Sequence, residues 1–162
     1  MARYDIESLI RDLGTFIPSK LPAKLTAVST EKGDSLTLDA PASGAYFLQN
    51  LEREAANYDP FVVYGIDDIE PGGGNGPGTL MPLKLFVMLA LHDEGNDPNV
   101  VYRLLRYQRA FIDIFETDWA SVAGSVKFKV SGLTPIPLPF LGPDKQLRQT
   151  KAIGVNLEAT LS

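Results

Sequence analysis

The sequence predicts an α+β fold: an antiparallel sheet of about four strands built from two long hairpins, with a helix packed on one face and further helices at the N-terminus. Two periodicities predict it. Apolar residues occupy every second position over 81–91 and 153–161, which is the pattern of strands. Over 6–17 and 98–118 they recur at helical spacing. With 162 residues, 44% of them hydrophobic, the chain can bury one core, and we expect a single domain over 1–162.

The first predicted element is an amphipathic N-terminal helix. Its apolar side chains recur at i, i+3, i+4, i+7 and i+11, namely Ile6, Leu9, Ile10, Leu13 and Ile17. We expect Pro18 and Pro22 to end it, because proline lacks the N–H that a helix interior needs. The residue pattern over 24–39 predicts two short extended pieces around a turn, and the pattern over 45–56 predicts a second helix.

A glycine-rich segment separates the next two strands. The strand predicted over 61–69 is followed by five glycines within 72–78 and then by the strand at 81–92. A phosphate-binding loop would need a lysine directly after Gly78, where Thr79 stands, and it would have to open a helix. We therefore expect a hairpin tip that protrudes near 71–80.

The helix predicted over 98–118 has the clearest start signal. Asp97 can cap it, and Pro98 suits its first position. Strands at 122–130 and 153–161 follow, joined by a proline-rich segment that we expect to protrude near 132–148. The expected inward-facing side chains of the helix are Val101, Leu104, Leu105, Phe111, Ile112, Phe115 and Trp119.

The charges on this helix are arranged against its dipole. Three arginines lie in the N-terminal half and three acidic residues in the C-terminal half, the reverse of the favoured order. One interpretation is a solvated face with an Arg109–Asp113 pair. The other is that the basic half of one copy contacts an acidic face of the next copy in a ring. The residues concerned are Arg103, Arg106, Arg109, Asp113, Glu116 and Asp118.

The sequence offers few groups for catalysis. It has no cysteine, and His92 is its only histidine, which excludes thiol chemistry, a two-histidine metal site and a serine-centred triad in a recognisable motif. Its acidic groups lack the register of a calcium-binding loop. We expect no enzyme, no cofactor and no metal. A net charge of −5 argues against a general nucleic-acid-binding surface, and no apolar run approaches a membrane span, so we expect a soluble protein.

Four segments carry a resemblance to a known family. In chain order they are "IRDLGTFIPSKLPAKLTAV", "YDPFVVYGID", "LLRYQRAFIDIF" and "KAIGVNLEATL". Together they resemble the tail terminator or tail-completion proteins of long-tailed bacteriophages. The resemblance implies a structural virion protein that forms a hexameric ring on the tail tube, stops tube growth and joins the tail to the head. Its implied partners are other copies of itself, the tail tube protein and the connector or neck proteins, with DNA passing through the lumen without specific binding.

A ring protein needs residues that contact its neighbours, and the sequence supplies candidates. The flexible glycines of the tip and the extended prolines of the arm suit docking segments. An acidic lumen would let DNA pass without binding, and we place it at Asp67, Asp68 and Glu70. The predicted partner contacts are Gly72, Gly73, Gly74, Asn75, Gly76, Arg103, Arg106, Arg109, Pro135, Pro137 and Pro139.

Two alternatives remain open. The chain could form another neck, sheath-terminator or baseplate ring, or it could be a small cellular domain that binds a ligand on the second apolar face of the 81–92 strand. A pocket lined by Phe86 and Met88 in a stable monomer would favour the ligand-binding domain. An exposed apolar edge that becomes covered on oligomerisation would favour the ring.

Overall fold

The structure is a computed structural model that describes residues 5–48, 57–69, 81–92, 97–119, 127–134, 140–141, 147–148 and 150–161. It confirms the α+β class. The elements are α1 (Ile6–Lys32), β1 (Tyr46–Leu48), β2 (Phe61–Ile69), β3 (Met81–His92), α2 (Val100–Asp113), a π-helical turn (Ile114–Asp118), β4 (Lys127–Thr134), β5 (Phe140–Leu141), β6 (Leu147–Arg148) and β7 (Thr150–Leu161).

Five strands form one mixed sheet in the order β1-β2-β3-β7-β4. The antiparallel pairs β2/β3 and β4/β7 are the two predicted hairpin pairs, and β3 joins them by pairing with β7 along its whole length. A fifth strand was not predicted: β1 pairs with β2 in parallel and forms one edge of the sheet. The short strands β5 and β6 pair separately.

The N-terminal helix is longer than the sequence predicts. α1 passes through Pro18 and Pro22 and ends at Lys32, with Gly33 in the left-handed conformation as its C-cap. The reason is burial: seven apolar side chains along the helix, worth about 1.5–3 kcal/mol each, outweigh two interior prolines that cost about 3 kcal/mol each. They are Leu9, Leu13, Phe16, Ile17, Leu21, Leu25 and Val28.

Two further predictions for the N-terminal third were wrong. Residues 24–32 belong to α1, and residues 35–39 have no regular structure, so the predicted extended pieces around the turn are absent. Residues 46–48, predicted to begin a second helix, form strand β1 instead, because Tyr46 and Phe47 pack on opposite faces of the sheet. The remainder of that predicted helix, 49–56, lies outside the described residues.

Both long helices pack on the same face of the sheet. On β3 this face carries Leu83, Leu85, Val87, Leu89 and Leu91, all buried in the main core. α1 lies over β2, where the Tyr64 hydroxyl approaches Gly14. α2 packs against α1 and β7, and the π-helical turn packs against β4. α1 is therefore on the β2 side of the helical layer, and α2 is on the β4 side.

The second face of the sheet is covered at one end only by a small apolar cluster. Phe47 and Phe61 pack there with Ala45, Ala90 and Ala152, and Tyr58, Val63 and Met88 lie against them. The sequence left open whether N-terminal helices or another subunit cover this face. Within the described part of the chain, α1 lies on the opposite face, and Ala45, Phe47 and Tyr58 contribute to the cover of the second face.

The helix predicted over 98–118 starts slightly later and faces a different direction. α2 begins at Val100, and Asp97 accepts the Asn99 N–H at 2.9 Å in the turn before it. The prediction that Val101 and Leu105 face inward was wrong, since both are 48% exposed. Val100, Tyr107 and Gln108 are buried instead.

Candidate functional site: two apolar edges of the sheet

Most of the predicted docking segments lie outside the described residues. This applies to the glycine tip (Gly72, Gly73, Gly74, Asn75 and Gly76), to the arm prolines (Pro135, Pro137 and Pro139) and to Glu70. Their roles stay predictions.

Of the acidic residues predicted for the lumen, two lie at an irregularity in β2. Asp67 is exposed and stands where the β2/β3 register shifts between Ile66 and Asp68. The Asp68 backbone pairs with Lys84, Lys84 with Glu158, and Glu158 with Lys129. Lys84, Glu158 and Lys129 are therefore neighbours across three strands, and opposite charges at neighbouring positions stabilise a sheet. The predicted acidic lumen stays a prediction.

The three arginines of α2 form ion pairs within the chain. Arg106 binds Asp34, with Nη1 to Oδ1 at 2.8 Å, and its side chain is only 11% exposed. Arg109 binds Glu31 through two nitrogens, at 2.9 and 2.6 Å, and also approaches Asp113 at 3.9 Å. Arg103 pairs with Asp97 at 3.3 Å. The contact of these arginines with a neighbouring copy stays a prediction, and each of them already has a carboxylate partner in its own subunit.

The ion pairs join the start of the 33–39 segment and the end of α1 to α2. The Arg106 guanidinium lowers the pKa of Asp34 from 3.8 to about 2, mainly through its hydrogen bonds. Arg109 likewise lowers the pKa of Glu31. The Tyr107 hydroxyl donates to the Asp39 carbonyl at 2.8 Å and holds the other end of the segment. This flank of α2 is therefore occupied by contacts with its own chain.

The opposite flank of α2 is apolar and exposed. Val101 and Leu105 are each 48% exposed, and the neighbouring Tyr102 is 61% exposed. Successive helix residues are about 100° apart, which puts Val101 about 140° around the helix from Arg106. Since the Arg106 flank contacts the end of α1, the Val101 flank looks toward the β4 side of the sheet.

Strand β4 adds one more exposed apolar side chain to this side. Leu133 pairs with Val155, which is buried in the helix-side core, so Leu133 also belongs to the helix side of the sheet, and it is 55% exposed. We call Val101, Leu105 and Leu133 the α2–β4 surface; Tyr102 lies only about 40° around the helix from Arg106 and is not part of it. The edge of β4 carries a register shift between Val130 and Gly132 and an exposed Lys129, two features that discourage strand addition.

The other edge of the sheet also exposes a large apolar side chain. On β1, Tyr46 packs against the main core and Phe47 against the second cluster, while Leu48 is 41% exposed. Leu48 pairs with Tyr64, a member of the main core, and so lies on the helix side like Leu133. Within the described ranges, the exposed large hydrophobic side chains are Leu48 on β1, Leu133 on β4, and Val101, Tyr102 and Leu105 on α2.

A small polar pocket lies at the end of β3, where sequence reasoning placed only an inert histidine. Its volume is about 80 Å³, enough for a few water molecules. Both ring nitrogens of His92 and Nε of Arg103 lack a hydrogen-bond partner among the described residues, yet they are closed off from solvent. The lining residues are Thr37, Asp39, Asp59, Pro60, Leu91, His92, Arg103 and Tyr107.

The side chains proposed to line a ligand pocket on the second face, Phe86 and Met88, lie in different surroundings. Met88 packs against the Phe47–Phe61 cluster, and Phe86 is half-buried between Gly65 and Asn156 in the strand register. Among the described residues there is also no group of three side chains able to hold a metal ion. No helix in these ranges is long and apolar enough to cross a membrane.

Sequence reasoning missed the α2–β4 surface although a signal was present. The pairs Val100–Val101 and Leu104–Leu105 put adjacent apolar residues about 100° apart on the helix. One buried stripe cannot accommodate both members of two such pairs when Tyr107 and Phe111 also face inward. The excess of apolar residues around the helix is thus the sequence signal for a second, exposed apolar flank.

No family model and no curated protein matches the chain. Its function is therefore inferred from the geometry of the two edges together with the resemblance of its sequence.

Proposed function

We propose that the protein is a structural virion subunit that assembles into a ring at the end of a bacteriophage tail tube, ends tube growth and joins the tail to the head. The observation that carries the proposal is that large apolar side chains are exposed on both outer strands of the sheet, Leu48 on β1 and Leu133 on β4, and on the outer side of α2. The order of the segments that resemble tail terminator proteins supplies the biological setting.

Two different apolar edges suit a ring better than a two-fold dimer. A two-fold contact uses one self-complementary surface, whereas a closed ring uses two different surfaces that meet head to tail. Leu48 on β1 and the α2–β4 surface belong to opposite ends of the sheet order, and both lie on its helix side. Each subunit can therefore offer one edge to each of two neighbours.

The remaining surfaces are assigned to other partners. The glycine tip (72–78) and the arm prolines (Pro135, Pro137 and Pro139) are proposed to contact the tail tube and the connector or neck proteins. DNA is proposed to pass through the lumen without specific binding, in keeping with the net charge of −5. The two exposed edges would suit a different ring at the same joint, such as a sheath terminator, equally well. The protein that the ring binds distinguishes a sheath terminator from a tube terminator.

The ligand-binding alternative has less support. Its expected site was a pocket against Phe86 and Met88, and Met88 packs against the Phe47–Phe61 cluster. Apolar edges available for assembly were the expected sign of the ring.

The test measures mass and shape together. The solution mass is followed over a concentration series by light scattering after size exclusion, and the same fractions are imaged in negative stain. The expected product is a closed ring with a central hole, which should cap polymerising tail tubes and halt their elongation. A chain that stays monomeric and also fails to bind tube ends would overturn the proposal; a ring that binds a sheath or neck protein but not tubes would reassign it.

A further inference from the structure

We propose that the 33–39 segment is a movable cover of the polar pocket at the end of β3. Arg106 and Tyr107 hold the cover closed, and polar nitrogens that lack partners in the closed state oppose them. Opening is a local motion that leaves the sheet and both long helices intact. This inference concerns a movement within one subunit, and it does not depend on the proposed ring.

The first support is the way in which the segment is attached. It begins at the C-cap Gly33, belongs to no helix or strand, and is mostly exposed. Two consecutive residues of α2 hold its two ends. Arg106 binds the Asp34 carboxylate, and the Tyr107 hydroxyl donates to the Asp39 carbonyl at 2.8 Å. A segment that is attached mainly by side chains of one helix can leave that helix without disrupting the sheet.

The second support is the position of the segment at the pocket. Thr37 and Asp39 belong to the pocket lining, together with Leu91 and His92 at the end of β3. In the same lining, both ring nitrogens of His92 and Nε of Arg103 are closed off from solvent. Lifting the segment removes Thr37 and Asp39 from the lining, which opens the pocket to water beside these nitrogens.

The third support is that the closed state contains opposing contributions. A buried donor or acceptor without a partner loses the hydrogen bonds that water would give it, and this disfavours the closed state. Among the described residues, His92 has two such atoms and Arg103 has one. The two hydrogen bonds from Arg106 to Asp34 and the one from Tyr107 favour the closed state. Because the contributions oppose each other, a change in either one shifts the equilibrium between closed and open.

The test measures how often the pocket opens. The chain has no cysteine, so Leu91→Cys introduces a single thiol into the pocket lining at a buried position. The rate at which a water-soluble maleimide labels this thiol reports opening. The second substitutions described next are each made in the Leu91→Cys chain, and circular dichroism verifies that every variant folds.

Two second substitutions should change the labelling rate in opposite directions. Tyr107→Phe removes only the hydroxyl that holds Asp39, so labelling should become at least about fivefold faster. His92→Phe removes both unpartnered nitrogens and keeps an aromatic ring beside Phe61, so labelling should become at least about fivefold slower. A purely structural role for His92 does not predict that its loss protects the pocket.

Two controls separate local opening from other effects. Arg109→Gln removes an ion pair between α2 and Glu31 of α1 and leaves the contacts of the 33–39 segment in place, so the labelling rate should stay unchanged. Leu157→Cys, made alone, puts the thiol at a fully buried position of the central strand β7. Its labelling requires global unfolding and should rise steeply with urea below the unfolding transition, whereas labelling in Leu91→Cys should rise little.

Three results would overturn the proposal. One is labelling in Leu91→Cys that rises with urea as steeply as in Leu157→Cys, because the pocket would then open only by global unfolding. The others are a Tyr107→Phe chain that labels no faster than the Arg109→Gln chain, and a His92→Phe chain that labels no slower. If Tyr107→Phe does not fold, Arg106→Gln removes the other attachment and carries the same expectation.

Discussion

At Gly154 the backbones of β3 and β7 approach so closely that no side chain can be accommodated. A Cβ built there would lie 2.2 Å from the Val87 carbonyl oxygen and 2.9 Å from Met88 Cα, both backbone atoms of a central strand. The Gly154 carbonyl accepts a hydrogen bond from the buried Gln108 side chain at 2.9 Å, which ties α2 to the sheet. Gly154 thus permits the pairing of β3 with β7 and helps to position α2 on the sheet.

We expect Gly154→Ala to lower the free energy of unfolding by about 1–3 kcal/mol, the usual cost of forcing extra atoms into a packed interior. Gly132→Ala is the control, because its nearest neighbour is the flexible end of Asn156 at 3.4 Å. It should leave stability within about 1 kcal/mol of the unaltered protein. Urea unfolding followed by circular dichroism compares them, and equal effects of the two variants would contradict the close-approach explanation.

At the scale of elements, α1 keeps two prolines inside a continuous helix. Pro18 and Pro22 cannot donate the hydrogen bonds that the carbonyls of Gly14 and Pro18 would otherwise receive. The helix nevertheless continues, because Leu21 extends the buried stripe beyond Pro18, and Leu25 and Val28 extend it beyond Pro22. Tertiary burial therefore determines the length of this helix against its local propensity.

Replacing these prolines should stabilise the protein. Pro18→Ala and Pro22→Ala each restore a backbone donor, so we expect each to raise the free energy of unfolding by about 1–3 kcal/mol. Chemical denaturation measures the change for each variant separately. A decrease for either would mean that the core requires the bend that the proline introduces.

The ion pairs between α2 and the end of α1 should be visible in the pH dependence of stability. The Asp34 pKa falls from 3.8 to about 2 in the folded chain, because Arg106 stabilises the carboxylate. A lowered carboxyl pKa stabilises the fold above pH 3.8, and this contribution is lost as the pH falls from about 4 to about 2. In Arg106→Gln, the thermal unfolding midpoint should therefore fall less steeply than in the unaltered protein as the pH is lowered from about 4 to about 2.

A suitable control for that measurement is Arg11→Gln, which removes an exposed pair with Glu7 within α1. Its unfolding midpoint should follow the pH dependence of the unaltered protein between pH 4 and 2. An unchanged slope in Arg106→Gln, with the fold intact, would show that the Asp34 pair contributes nothing to acid sensitivity.

For the whole molecule, the kind of contact between subunits decides how assembly responds to salt. A ring joined by the basic half of α2 and an acidic face of its neighbour would dissociate as salt screens the charges. A ring joined by Leu48 and the α2–β4 surface should keep its mass when NaCl is raised from about 0.05 to about 0.5 M, because apolar contacts are not screened. Light scattering at both concentrations distinguishes the two, and dissociation at the higher one would favour the arginine contact.

Much of the fold follows from periodicity in the chain. The alternation in β3 and β7 identified both central strands, and the spacing around Leu104, Phe111 and Phe115 identified α2. These segments are long and strongly patterned, so local pattern and final environment agree. The errors fall where they disagree: at the prolines of α1, at β1, and at Val101 and Leu105.

The sequence by itself determined the α+β class, the antiparallel central strands, and the absence of thiol chemistry and of a two-histidine metal site; the tail-protein role that its resemblance implies stays a prediction. Only the tertiary structure decided that α1 continues to Lys32, that the arginines of α2 are paired within the chain, and that apolar side chains remain exposed at both sheet edges. The physical reason is that a periodic pattern shows which residues share one face of an element. Whether that face meets the core, its own chain or another subunit depends on distant segments that only folding brings together.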